Sequence, residues 1–83
     1  MSPTEIVSHL RRQPFEPFRI CVSDGSIYDV PHPEFVLVTR TNVAIALKLS
    51  EGDLPDRTVY CDPLHITRIV PFDEISKPKN GQK

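Results

Sequence analysis

This chain of 83 residues has little of what marks a membrane protein, a disulfide scaffold or a nucleic-acid binder. It contains no tryptophan, one methionine, three glycines and two cysteines. It has neither an apolar run long enough to cross a membrane nor a secretion-type leader, so we expect a cytoplasmic protein with no membrane partner. Ten basic and eleven acidic residues leave a net charge of −1, whereas a generic nucleic-acid binder usually carries a basic field.

The two cysteines, Cys21 and Cys61, lie far apart in the sequence and form no Cys-x-x-Cys motif. In a chain without a secretion signal, such cysteines are more often reduced thiols than a disulfide. Two lone thiols and scattered histidines are also a poor ligand set for zinc. We therefore expect no disulfide, no metal and no cofactor, and the sequence leaves open whether either thiol is reactive.

The segment Phe18–Val30 predicts a β-hairpin, because apolar and polar residues alternate on both sides of an Asp-Gly pair. Two loops compete. A two-residue loop would place Asp29 opposite Ile20, a core residue. A three-residue loop instead places Arg19 opposite Asp29 on the outer face, and it requires Gly25 at positive φ. The three-residue loop is the better prediction, since a slip of one residue would turn every side chain to the wrong face.

A helix is predicted over residues 3–12, ahead of this hairpin. Ser2 is a suitable N-cap, the following proline suits the first helical position, and Glu5 completes a capping box. Pro14 disfavours helical geometry in the residue before it and ends the helix.

Short strands account for most of the remaining chain. Pro31 and Pro33 interrupt the ladder after the hairpin, since proline cannot donate a backbone hydrogen bond. Further strands are predicted over residues 34–39, 43–49, 58–61 and 66–70, with a polar loop at 50–56 and a 3₁₀ turn at 62–65. No second helix is expected. The fold class is therefore mainly β: an N-terminal α-helix and then a five- to six-stranded bent antiparallel barrel, in one domain over 1–75 with a disordered basic tail over 76–83.

Two resemblances follow from these residues. The run Gln13-Pro14-Phe15-x-Pro17-Phe18-Arg19, with Asp24-Gly25, Tyr28-x-Val30 and His32-Pro33, resembles a group of small bacterial proteins of uncharacterised activity. The order of helix, Asp-Gly loop, Val59-Tyr60 and the last strand resembles the Sm-like fold, a small SH3-like barrel that includes bacterial RNA chaperones. That resemblance implies rings joined edge to edge.

The Sm-like RNA site does not carry over residue by residue. Arg40-Thr41-Asn42 lacks the aspartate of the family's Asp-x-Asn segment, and Tyr60 and His65 are spaced apart with an aspartate between them. The candidate nucleic-acid or partner contacts are Arg40, Asn42, Tyr60, His65 and Arg68. Gly25, Pro31 and Pro33 have structural roles.

Two functions remain open. The first is a non-enzymatic, self-associating interaction module of unknown partner, forming a ring or dimer by edge-strand pairing. The alternative is an Sm-like RNA- or DNA-binding protein that uses the arginines. We expect no enzyme, because a turn-capping role explains Asp62 beside His65 and the sequence shows no third group to orient them.

Overall fold

The computed structural model describes residues 1–48, 51–52 and 54–76 of the chain. Its helices are α1 (Pro3–Leu10) and α2 (Phe72–Ser76), and its strands are β1 (Phe18–Val22), β2 (Ile27–Val30), β3 (Val36–Val38), β4 (Val43–Leu47), β5 (Arg57–Cys61) and β6 (Ile66–Pro71). Two 3₁₀ turns, Pro33–Phe35 and Pro63–His65, precede β3 and β6. The chain is therefore mainly β, as predicted.

The strands form two antiparallel sheets of three strands each. Sheet 1 has the order β2-β1-β6, and sheet 2 has the order β3-β4-β5. Over the described residues no ladder of hydrogen bonds joins the two sheets, so closure into a barrel stays a prediction. Among the strands that the structure describes, the edge strands are β2 and β6 in sheet 1 and β3 and β5 in sheet 2.

The first hairpin adopts the predicted three-residue loop. The amide of Val22 donates to the carbonyl oxygen of Ser26 at 2.9 Å, and Gly25 has a φ of 92°. Arg19 pairs with Asp29 across the strands, and its Nε and Nη2 donate to the two carboxylate oxygens at 2.7 and 3.2 Å. The register prediction is confirmed, and with it the direction in which every side chain of the hairpin points.

The predicted capping box at the start of α1 is also present. The Ser2 hydroxyl accepts from the Glu5 amide at 3.2 Å, and the Glu5 carboxylate accepts from the Ser2 amide at 3.0 Å. The predicted end at residue 12 was wrong, because the helix ends at Leu10. Arg11 makes the last backbone bond, to the carbonyl of Val7, and its ψ of 4° already leaves helical geometry.

Two other boundaries differ from the sequence prediction. Residues 33–35 form a 3₁₀ turn where a strand was expected to begin at residue 34, since Pro33 has the φ that a first helical residue needs. The prediction that the chain has no second helix was also wrong. After β6 the chain turns into α2, where the Phe72 amide donates to the carbonyl of Pro17 at 3.1 Å. Ser76 thus belongs to a helix, while residues 77–83 of the expected tail lie outside the described residues, as do parts of the 43–49 strand and the 50–56 loop.

Both sheets and α1 contribute to one apolar core. Its buried residues are Ile6, Phe18, Ile20, Val30, Val36, Val43, Ile45 and Ile66. They come from the inward positions of the alternating strands, as the period-two pattern requires. The described helices include none that is long and apolar enough to cross a membrane.

Candidate functional site

A cleft lies between the first hairpin loop and the connection from β5 to β6. It has a volume of ≈ 370 Å³ and is lined by residues 22–24, Tyr28, residues 60–62 and His65. Two tyrosines, two aspartates, a histidine, a serine and a cysteine therefore meet in one place. We call this the acidic cleft, because it contains the carboxylates of Asp24 and Asp62.

Backbone pairing between β1 and β6 brings the two sides of the cleft together. Val22 lies opposite Ile66, after a bulge that leaves Thr67 without a cross-strand partner in β1. The next residue along the loop, Ser23, donates its amide to the carbonyl of His65 at 2.8 Å. The Ser23 hydroxyl also lies 3.3 Å from Nδ1 of His65, and the tautomer of the ring decides which group donates.

Each carboxylate of the cleft is fixed by a backbone hydrogen bond. One oxygen of Asp24 accepts from the Ser26 amide at 2.8 Å, and one oxygen of Asp62 accepts from the Leu64 amide at 2.9 Å. The first bond lowers the pKa of the Asp24 carboxyl, with smaller contributions from the Ser26 side chain and the charge of His65. Asp24 is therefore an anion at neutral pH, held in one orientation.

The acidic cleft does not favour nucleophilic catalysis. Burial, and then the nearby charge of Asp24, raises the pKa of the Cys61 thiol. A catalytic cysteine needs the opposite shift, since the thiolate is the nucleophile. The Ser23–His65 pair is exposed to solvent, and no hydrogen bond from a third residue orients the ring among the described side chains. The described residues also include no group of three or more acidic, histidine or cysteine side chains placed to hold a metal ion.

The structure brings together two of the five sequence-predicted contact residues. Tyr60 and His65 both line the acidic cleft. Arg40 lies in the turn after β3, where it lines grooves beside the start of α1. Asn42 completes that turn by donating its amide to the Thr39 hydroxyl at 3.0 Å. Arg68 lies on the outer face of sheet 1, opposite Cys21 in β1.

Sequence reasoning missed the rest of the cleft. From the sequence, Asp24 and Tyr28 were assigned only to the predicted hairpin and not to a site. The missing signal was the pairing of the first and last strands, which places the hairpin loop next to the second 3₁₀ turn. That pairing joins residues at opposite ends of the chain, so local alternation does not reveal it.

A second exposed feature crosses the outer face of sheet 2. Leu37, Ala44 and Tyr60 lie side by side on β3, β4 and β5. Leu37 is 66% exposed and Tyr60 is 70% exposed. We call this the outer row, and Tyr60 belongs both to it and to the acidic cleft.

No protein-family model, curated protein or solved structure matches this chain.

Proposed function

We propose that this chain is a non-enzymatic interaction module, a small barrel-like unit that associates with copies of itself through strand edges. The barrel-like arrangement is supported by the single core that the two sheets share. It is further supported by the two 3₁₀ turns, each of which carries the chain from one sheet to the other. Such turns lie at the corners of a bent sheet, where a ladder breaks and the strands change direction.

The observation that carries self-association is the open edge of β5. This strand pairs with β4 on one side and has no strand partner on the other within the described residues. An unpaired edge is a template for another strand unless it is short, bulged or charged. The other open edge of sheet 2, β3, has only three residues, whereas β5 has five and exposes Tyr60 at its flank.

Two modes of pairing are compatible with this edge. β5 of one subunit beside β6 of the next is a head-to-tail contact, which closes a ring when the rotation allows. β5 beside β5 of a second copy is a two-fold contact and gives a dimer. In both, the exposed ring of Tyr60 gains a cross-strand neighbour, a kind of pair that contributes about 0.2–1 kcal/mol in antiparallel sheets.

The solution mass of the protein tests this proposal, measured by light scattering after size exclusion across a range of concentrations. We expect at least twice the mass of one chain. Tyr60→Glu and Thr58→Glu both place a charge on the exposed face of β5 and should shift the mass toward one chain. Leu64→Glu adds the same charge at a residue that is 81% exposed but lies outside the sheets, so its mass should match wild type. A wild-type protein that stays at the mass of one chain at every concentration would refute self-association.

RNA binding is the second candidate, and one observation favours it. Arg11 and Arg40 line the same groove, of ≈ 550 Å³, between α1 and the end of β3. Two cations in one groove suit a phosphate backbone, and binding of that kind weakens as salt is added. Titrating a short uridine- or adenosine-rich RNA at two salt concentrations tests this candidate. Absence of salt-sensitive binding, or binding that survives Arg11→Gln with Arg40→Gln, would rule it out.

The cellular compartment forms part of the proposal. Both cysteines are free thiols in the structure. Reduced cysteines suit a compartment where glutathione and thioredoxin keep thiols reduced, so we place the protein in the cytoplasm.

A further inference from the structure

The acidic cleft combines fixed negative charge with an exposed aromatic ring. Asp24 and Asp62 line it, and neither forms a salt bridge within the part of the chain that the structure describes. The salt bridges of that part join Arg12 to Glu16 and Arg19 to Asp29. Carboxylates grouped at a concave surface raise the local concentration of cations. The cleft therefore attracts a cation supplied by another molecule.

The carboxylates are already oriented for such a cation. Each of them accepts one backbone amide through a single oxygen, which holds the side chain in place. A carboxylate has about four lone-pair sites, so both residues keep acceptor capacity for a ligand. Because the hydrogen bonds to Ser26 and Leu64 exist without ligand, the cation does not have to order these side chains when it binds.

The tyrosines select the shape of the cation. Tyr60 is 70% exposed and Tyr28 is half-buried, and both line the cleft. The face of a tyrosine ring attracts a cation within about 6 Å of its centre. A guanidinium group is planar, stacks on aromatic rings and donates hydrogen bonds in a fork that matches a carboxylate, whereas an ammonium group is a strongly hydrated point charge.

The size of the cleft sets the size of the ligand. At ≈ 370 Å³ it lies near the lower end of the range for small-molecule pockets, about 300–1,000 Å³. One long side chain suits this volume better than a folded surface does. The two carboxylates also repel the phosphates of RNA from this place on the molecule.

We propose that the acidic cleft binds an arginine side chain of a partner peptide, with the guanidinium stacked on Tyr60 and hydrogen-bonded to Asp24 and Asp62. This names the partner class of the interaction module proposed above and rests on that module being a binding protein. It does not rest on self-association, since a single chain contains all the groups of the cleft.

The test uses the full chain labelled with ¹⁵N, titrated with a glycine–serine peptide that has one central arginine and followed by amide chemical shifts. We expect saturable shifts at residues 23–24, 60–62 and 65. A peptide with citrulline in place of arginine keeps the shape and loses the charge, so it should not bind. A lysine peptide should bind more weakly than the arginine peptide.

Variants of the chain locate the site. Asp24→Asn and Asp62→Asn keep the oxygen that accepts the backbone amide, so the fold is retained, and each should weaken binding about two- to five-fold, as for an exposed ion pair. Tyr60→Leu should weaken it by a similar factor, about two- to five-fold, through loss of the cation–π contact. Glu34→Gln removes the same charge from an exposed residue outside the cleft and should leave the affinity unchanged.

Four results would overturn the proposal: equal binding of the citrulline peptide, a lysine peptide that binds as tightly as arginine, an equal loss of affinity in Asp24→Asn and Glu34→Gln, or shifts at the cleft on adding RNA instead of peptide. Failure of self-association gives a different result, a single-chain mass with peptide binding intact. The two proposals are thus tested by separate measurements.

Discussion

Replacing Gly25 with alanine is the most direct test of the hairpin loop on which the cleft depends. Gly25 has a φ of 92°, and an added Cβ would meet no atom within 4 Å. The substitution therefore creates no clash with neighbours, and its cost is the strain of an L-residue at positive φ, about 1–2 kcal/mol. Alanine also restricts the unfolded chain, which returns about 0.4–1 kcal/mol. The net expected loss of stability is about 1 kcal/mol.

Urea and thermal unfolding followed by circular dichroism measure this loss. For a domain of this size, 1 kcal/mol corresponds to a fall in Tm of about 4–8 °C. Gly25→Asn should cost less than Gly25→Ala, because asparagine tolerates the left-handed region, and Gly25→Val should cost most, because its side chain is β-branched. If the three variants are equally stable, or if alanine is as stable as glycine, then residue 25 does not adopt positive φ and the three-residue loop is wrong.

Three further predictions concern charge and reactivity. A double-mutant cycle with Arg19→Met and Asp29→Asn should give a coupling free energy near the upper end of about 0.2–1 kcal/mol. The side chains are 30% and 49% exposed, but the pair is bidentate. A coupling of zero would contradict the observed geometry. In a Cys21→Ser background, iodoacetamide should modify Cys61 more slowly at neutral pH than it modifies a free cysteine, because burial and Asp24 raise the pKa of Cys61. Asp24→Asn should speed the reaction. An unchanged rate would show that the charge of Asp24 does not act on the Cys61 thiol. The Ser26 amide lowers the pKa of Asp24 in the folded protein. The stability that this carboxylate contributes is therefore present above its unfolded pKa and is lost as the pH falls through the folded pKa. Below about pH 4 the urea midpoint of wild type should fall more than that of Asp24→Asn, and parallel pH profiles would contradict this.

The parts of the fold that local chemistry determines could be predicted from the sequence. The capping box of α1 involves residues three apart, and the hairpin register follows from the positions of Gly25 and of the alternating apolar residues. The Asp62 cap of the second 3₁₀ turn is equally local, since its oxygen accepts from a residue two positions later. In each case the partner lies within one turn or one short loop, so residue type and spacing are sufficient.

The errors occurred where local preferences conflict or where distant contacts decide. The apolar run at residues 34–39 fits a strand, but Pro33 fixes a backbone angle that starts a 3₁₀ turn, and Phe35 is buried from that turn. The short helix α2 was missed because five residues carry too little periodicity to be recognised. It follows the last strand and is joined to the chain at Pro17, a contact that the pattern of residues 72–76 does not contain.

The candidate site was predictable only in part for the same reason. Tyr60 and His65 stood out as chemically capable residues, yet nothing local placed Asp24 beside them. The five predicted residues are separated because Arg40 and Asn42 lie at the β3–β4 turn and Arg68 faces outward from sheet 1. The groove lined by Arg11 and Arg40 and the acidic cleft are separate features, although Arg40 and Asp62 also line a further groove together. Variants of Arg11 and Asp24 therefore test the two candidates separately.

The hairpin loop and the acidic cleft share Asp24, so a substitution that strains the loop should also change the affinity for the ligand. Asp24 is held by the amide of Ser26, which the loop around Gly25 positions. Gly25→Ala should therefore weaken binding of the arginine peptide as well as lowering stability. Arg19→Met provides the comparison, because Arg19 lies about 13 Å along the strand from the loop. It should lower stability but leave the amide shifts of the cleft unchanged.

This comparison is made in native buffer, where both variants are almost entirely folded and the lost stability alone does not reduce the amount of binding protein. Peptide affinities for Gly25→Ala, Arg19→Met and wild type are then compared by the same titration. A weaker affinity in Gly25→Ala alone shows that the loop positions the Asp24 carboxylate for the ligand. Equal affinities in all three proteins would show that Asp24 reaches the cation independently of the loop, and the link from hairpin geometry to binding would be wrong.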